Sequence, residues 1–132
     1  MNKIAILAAF VSLLISCAHG KTDDFPSSQD PSASAEVCII RDNNLFGWGF
    51  TLKVALDNAV IAHLRAGERV SFHVAPGFHS VGITKSSLTV PFEKGRKYYF
   101  LISADYSSFG FEIQPIGEVQ AKYWLAETKA IE

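Results

Sequence analysis

The chain has 132 residues, with 12 Lys and Arg against 13 Asp and Glu and a net charge of −1. That length leaves room for one ordinary domain. The near-neutral balance excludes a basic nucleic-acid surface and a polybasic membrane patch.

Met1-Asn2-Lys3 leads into an apolar run from Ile4 to Ile15 that only Ser12 interrupts. A short positive start, an apolar stretch and then small residues make a secretory signal. The run is shorter than the ~20 apolar residues needed to span a bilayer. Leu14-Ile15-Ser16-Cys17 resembles the bacterial lipobox, with Leu three before the Cys and a small residue just before it. The resemblance implies cleavage after Ser16, a diacylglyceryl thioether on Cys17 and acylation of its new amine. Two or three acyl chains anchor firmly where one is marginal. Ala18 stands where an Asp would signal inner-membrane retention, which points to the outer membrane facing the periplasm. Residues 1–16 therefore read as signal peptide and Cys17 as a lipidation site, with the membrane as partner through that lipid.

Residues 17–35 hold the lipidated Cys and the spacer AHGKTDDFPSSQDPSASA, rich in Ser, Asp, Ala and Pro. Such a segment buries too little apolar surface to fold and reads as a disordered tether. Phe25 is its one candidate docking point. With Cys17 lipidated, Cys38 has no partner in the chain, and its place in EVCIIRD predicts a buried, small apolar role. A reactive thiol needs an exposed, electropositive setting.

Residues 36–132 form the domain. EVCIIRD is strand-like. In FTLKVALD, Phe50, Leu52, Val54 and Leu56 alternate onto one face, the signature of a half-buried strand. Asp57-Asn58 is a hairpin turn candidate. AVIAHLR is the return strand, in one of two registers. One puts Ile61 and His63 inside; the other, Ala62 and Leu64. A bulge would satisfy Ile61 and Leu64 together. After a turn at Gly67, RVSFHVA places Val70, Phe72 and Val74 inward. Pro76-Gly77 turns into FHSVGIT, and SLTVPFE points Leu88, Val90 and Phe92 inward. Lys94-Gly95 turns into RKYYFLISAD, whose apolar run predicts a central strand covered on both faces. FGFEIQP places Phe109, Phe111 and Ile113 on one face. Beyond Pro115, Val119, Tyr123 and Ala126 are spaced as the apolar face of a short helix. The whole predicts a mainly β protein: an antiparallel β-sandwich of about seven to eight short strands with a short C-terminal helix.

The stretch RDNNLFGWGFTLKVALDNAVIAHLRAGERVSFHVAPGFHSV resembles the DUF2846 family of bacterial lipoproteins and, more loosely, PEGA-type sandwich domains. The matching positions are Arg41, Asn43, Gly47, Asp57, Leu64, Gly67, Pro76, Gly77 and His79. Asn58 stands where that family usually has Gly. The resemblance covers roughly 36–115 and implies a small sandwich on a lipid anchor, with no known activity.

Little in the chain suggests catalysis. It carries no G-x-S-x-G, no H-E-x-x-H and no phosphate-binding Gly-Lys loop. The expectation is a non-enzyme with no cofactor and no catalytic residue. His79 after Pro-Gly is expected to be structural, its ring bonding a turn carbonyl. His63 and His73 are placed to face one another on neighbouring strands, but zinc wants three or four ligands, so no metal site is assigned. The informative stretch is NNLFGWGF, Asn43 to Phe50. In one reading Phe46, Trp48 and Phe50 wrap the open end of the sandwich over Gly47 and Gly49. In the other they form an exposed platform. DYSSFGF, Asp105 to Phe111, is a second such loop. Candidate ligand- or partner-binding residues are therefore Phe46, Trp48, Phe50, Tyr106 and Phe109. The leading expectation is a lipid-anchored, non-catalytic protein-interaction module of the bacterial cell envelope. A glycan- or peptidoglycan-binding module is the alternative, and an envelope enzyme or metal protein using His63, His73 and His79 the third.

Overall fold

The structure, a computed structural model, describes residues 30–131. Cys17, Phe25 and the signal segment lie outside the described residues. The strands are β1 (Ala35–Arg41), β2 (Leu52–Leu56), β3 (Ala59–Leu64), β4 (Glu68–Val74), β5 (Gly77–Ile83), β6 (Ser86–Phe92), β7 (Lys97–Asp105) and β8 (Gly110–Ile116). Helix α1 (Glu118–Glu127) and the short β9 (Lys129–Ala130) follow. They form a five-stranded sheet, β8-β7-β1-β4-β9, packed on a four-stranded sheet, β3-β2-β5-β6. The protein is a β-sandwich with a short C-terminal helix. Among the described residues no helix is long and apolar enough to cross a membrane.

Two pairings depart from the antiparallel expectation. β1 runs parallel to β7, and β9 parallel to β4. Between β1 and β7 the chain builds the whole second sheet and β4 of the first, and β7 enters the first sheet from the end at which β1 began, a crossover that parallel pairing requires. The N-terminal boundary also differs. The spacer expected to run to residue 35 ends earlier: a 3-10 turn, Pro31–Ala33, is capped by Asp30, and Ser34 and Ala35 are buried.

Alternation sets the core. Val37 and Ile39 of β1, Val54 and Leu56 of β2, Val70, Phe72 and Val74 of β4 and Phe100 and Ile102 of β7 meet between the sheets. The opposite faces of β1 and β7 present Cys38, Ile40 and Leu101 to α1. This double covering is why both strands read as continuous apolar runs. At the β2–β3 hairpin Leu56 faces Ala59, and the register then slips so that Val54 faces Ala62. Ile61 is the extra residue of the bulge, and Ile61, Ala62 and Leu64 are all buried.

Three side-chain placements are corrected. Phe50 does not continue the inward row of β2: it precedes the strand and is half exposed, because Gly49 and the loop turn it out of alternation. Phe109 does not begin β8: its left-handed backbone (φ 54) breaks the strand before Gly110. The helix face is rotated from the expected one. Ala121, Trp124 and Leu125 pack on the sheet, while Val119, Tyr123 and Ala126 face outward. The covering face is chosen by the sheet below, where Ile40 and Leu101 wait for bulky partners.

Candidate functional site at the aromatic end of the sandwich

β1 ends with its inward-facing row, Val37 and Ile39, continued by Arg41. The arginine is fully buried where the two sheets open. Its Nη1 donates to the carbonyls of Phe50 (2.8 Å) and Leu64 (2.7 Å), and Nη2 to that of Gly47 (2.8 Å). The guanidinium carbon lies 5.6 Å from the Phe50 ring centre and 5.1 Å from that of Phe111. Burial pushes the guanidinium below its ordinary pKa, and the nearby Asp42 and Glu68 carboxylates oppose that. Nε finds no partner among the described residues. Arg41 thus closes the end of the core and gathers the backbone of the Asn43–Phe50 loop around itself. Asp42 beside it is also buried, which raises its carboxyl above the usual range, against the Asn44 amide and Arg41.

The two aromatic loops meet here. Asn44 Nδ2 donates to the Tyr106 hydroxyl at 2.6 Å. The Phe46 ring sits 5.8 Å from Tyr106 and 5.6 Å from Phe111, and Phe50 packs edge-on to Phe111 at 5.8 Å, within the range of favourable aromatic pairs. Gly47 (φ +74) is required: a Cβ there would lie 2.5 Å from Phe111 Cζ and 2.7 Å from Phe50 Cζ. In the second loop, Asp105 accepts from the Ser107 amide (3.0 Å) and from the Ser107 and Ser108 hydroxyls (2.6 and 2.7 Å). The Ser107 hydroxyl leads these bonds in holding the Asp105 carboxyl below its ordinary value.

Of the candidate binding residues, Phe46 is half-buried as the bridge between the loops. Trp48 (66% exposed), Phe50 (50%), Tyr106 (62%) and Phe109 (82%) stay open to solvent. Neither sequence reading holds alone: Phe50 covers Arg41 and Phe46 bridges the loops, while Trp48 and Phe109 are largely exposed. Arg41, Asn44 and the exposed Leu45 (83%) belong to the same end; Arg41 was singled out only as a family-matching position, and Asn44 and Leu45 not at all. For Arg41 a signal existed, since it keeps the inward parity of Val37 and Ile39.

The histidines do not assemble. His63 lies in β3 opposite Lys53, and His73 in β4, in the other sheet, with Nδ1 3.2 Å from Ser34 Oγ. The facing pair expected on neighbouring strands therefore does not form. His79 donates from Nε2 to the Ala75 carbonyl (2.7 Å), the turn contact expected of it, and its Nδ1 lies 2.6 Å from Asp57 Oδ2.

No protein-family model and no curated protein matches the chain. Among solved structures it is similar to the N-terminal domain of AlgF from P. aeruginosa, at 17% identity and a TM-score of 0.45 over 67% of this chain and 100% of that one.

Proposed function

We propose that this is a lipid-anchored protein of the bacterial cell envelope whose sandwich is a non-catalytic interaction module, binding another envelope protein through its aromatic end. The observation that carries the reading is where that end lies. The chain enters the sandwich at Ala35, and the seven-residue β1 delivers it to Arg41 beneath the aromatic loops, about 20 Å away at ~3.3 Å per residue. A lipid on Cys17 would hold the domain by its opposite end and leave Leu45, Trp48, Tyr106 and Phe109 facing outward. Aromatic anchors surrounded by polar groups are what protein interfaces concentrate. Three polar side chains of this end are occupied in holding the loops: Arg41 on carbonyls, Asn44 on Tyr106, Asp105 on Ser107 and Ser108. That supports binding rather than chemistry.

The positions shared with the DUF2846 lipoproteins support kinship with that family, because they touch one another. Arg41 bonds the carbonyls of Gly47 and Leu64, Asn43 packs against Gly67, and Asp57 bonds His79 beyond the Pro76-Gly77 turn.

The test is photo-crosslinking in intact cells from position 109, with position 78 as control. Phe78 is 76% exposed at the opposite end of the fold. A discrete protein adduct from 109 and none from 78 is expected; the same background from both would remove the reading. Labelling with an alkyne fatty acid, lost on Cys17→Ser, tests the anchor separately.

A further inference from the structure

Beside the aromatic loops, and apart from Tyr106 and Phe109, lies a cleft of 820 Å³ between the Asn43–Thr51 segment, the β3–β4 turn and the end of α1. Trp48 and Phe50 form one wall; Asn43, Arg65, Glu127 and Lys129 are the polar lining. A smaller hollow of 310 Å³ shares Asn43 and Glu127 and continues to Tyr123 and Trp124. Together they make one groove with an exposed aromatic at each end, Trp48 (66%) and Tyr123 (60%), and a polar middle.

The polar middle is open to solvent. The side chains of Asn43, Arg65, Glu127 and Lys129 make no hydrogen bond or ion pair with another described residue. Elsewhere at this end the polar side chains are used: Arg69 bonds the carbonyls of Leu125 and Thr128, and Glu68 accepts from the Arg65 amide. The groove's charges cancel, Arg65 and Lys129 against Glu68 and Glu127, so it does not select a strongly charged ligand. Its size is that of a small-ligand site, not of a flat protein interface.

We infer that this groove binds an oligosaccharide of neutral or weakly charged sugar residues, with Trp48 and Tyr123 stacking on sugar rings and Asn43, Arg65 and Glu127 bonding hydroxyls between them. A sugar ring has an apolar C–H face and a polar hydroxyl edge. It suits an aromatic ring beside donors and acceptors that have no partner among the described residues. Two aromatic platforms separated by a polar stretch suit several linked sugars better than one. The groove shares Trp48 with the proposed protein-binding end, but neither Tyr106 nor Phe109 lines it.

The test is calorimetric and fluorescence titration of the purified full-length protein in detergent with maltotetraose, chitotetraose and muramidase-released peptidoglycan fragments. Saturable binding of at least one is expected, with a blue shift of tryptophan emission. Trp48→Ala is expected to weaken binding at least ~10-fold, Tyr123→Ala and Glu127→Gln several-fold, each with an unchanged unfolding midpoint because all three side chains are exposed. Binding of the peptidoglycan fragments alone would identify the cell wall as the source. No saturable binding of any of the three by the folded protein, or binding indifferent to Trp48→Ala, overturns the inference. A protein adduct from position 109 without sugar binding would leave the interaction module standing and remove the groove; sugar binding without that adduct would do the reverse.

Discussion

Asp57 and His79, 22 residues apart, clasp the end of the sandwich opposite the aromatic loops. One carboxylate oxygen lies 2.6 Å from His79 Nδ1 and the other accepts the Ser80 amide at 2.9 Å, while His79 Nε2 donates to the Ala75 carbonyl. Each ring nitrogen thus faces an oxygen, one of a carboxylate and one of a backbone carbonyl. The clasp ties the β2–β3 turn to β5 and the turn before it. Partial desolvation raises the Asp57 pKa, but hydrogen bonds from His79 and Ser80 outweigh this and leave it below its ordinary 3.8. A carboxylate whose folded pKa is depressed adds stability above the unfolded value and loses it as pH falls through the folded one. Stability is therefore expected to decline from about pH 4 downward, and Asp57→Asn to flatten that decline, measured as unfolding midpoint against pH. His79→Ala at neutral pH should cost about 1–2 kcal/mol.

Arg41 is expected to be the most sensitive single position at the aromatic end. Arg41→Met removes three charge-assisted bonds and leaves the carbonyls of Gly47, Phe50 and Leu64 without their donor. Each such bond contributes roughly 1.5–3 kcal/mol, so a loss above ~3 kcal/mol is expected by denaturant unfolding. Arg41→Lys should recover little of it, since an ammonium does not reproduce the planar fork. Gly47→Ala acts from the other side, driving a methyl group into Phe50 and Phe111 at a left-handed backbone position. In both variants limited proteolysis is expected to cut first between Asn43 and Thr51.

How much of this was legible in the sequence varies by element. Val70, Phe72 and Val74 alternate without conflict, and β4 follows. The clash of interests between Ile61 and Leu64 pointed to a bulge, and one is there. The parallel partnership of β1 and β7 was not legible, because pairing across 60 residues leaves no local pattern. Nor was the role of Arg41, whose partners are carbonyls presented by loop geometry rather than by residue type. That the two aromatic loops meet depends on Asn44 reaching Tyr106, a contact no spacing rule foretells.

Cys38 is expected to be inert. It is 1% exposed beneath α1, and burial raises its pKa above the ordinary 9.0, against a hydrogen bond with Ser71 and the nearby Arg69 and Lys97. A disulfide reagent at pH 8 should label the native protein only at the rate of unfolding. Because the folded thiol resists ionisation, stability should fall as pH rises past about 9, and Cys38→Ala should remove that part of the alkaline slope.

The β2–β3 turn has left-handed backbone at both Asp57 (φ 49) and Asn58 (φ 65), the mirror-image turn that suits a two-residue hairpin. Asn tolerates the second position and Gly prefers it. Asn58→Gly should leave the protein as stable or up to ~1 kcal/mol more so, whereas Asn58→Val should cost about 1–2 kcal/mol. Asp57 is held by its clasp with His79, so the same exchange there should destabilise. Thermal unfolding of the three variants separates turn geometry from the clasp.

The rotation of α1 gives the sharpest test of how the C-terminus packs. Trp124 and Leu125 lie against Cys38, Ile40 and Leu101, while Val119 (85% exposed) and Tyr123 (60%) face away. The helix end is secured from below: Arg69 Nη1 donates to the carbonyls of Leu125 and Thr128, and the Thr128 hydroxyl donates to the Trp124 carbonyl at 2.6 Å. These groups satisfy carbonyls that a helix terminus otherwise leaves open, with a cation where the dipole favours one. Trp124→Ala should therefore cost about 2–3 kcal/mol, and Arg69→Ala about 1–3 kcal/mol, with β9 released from the edge of β4. Tyr123→Ala and Val119→Ala should each stay within ~0.5 kcal/mol of the parent. If the sequence-derived face were the packed one, that order would invert, and denaturant midpoints of the four variants decide it.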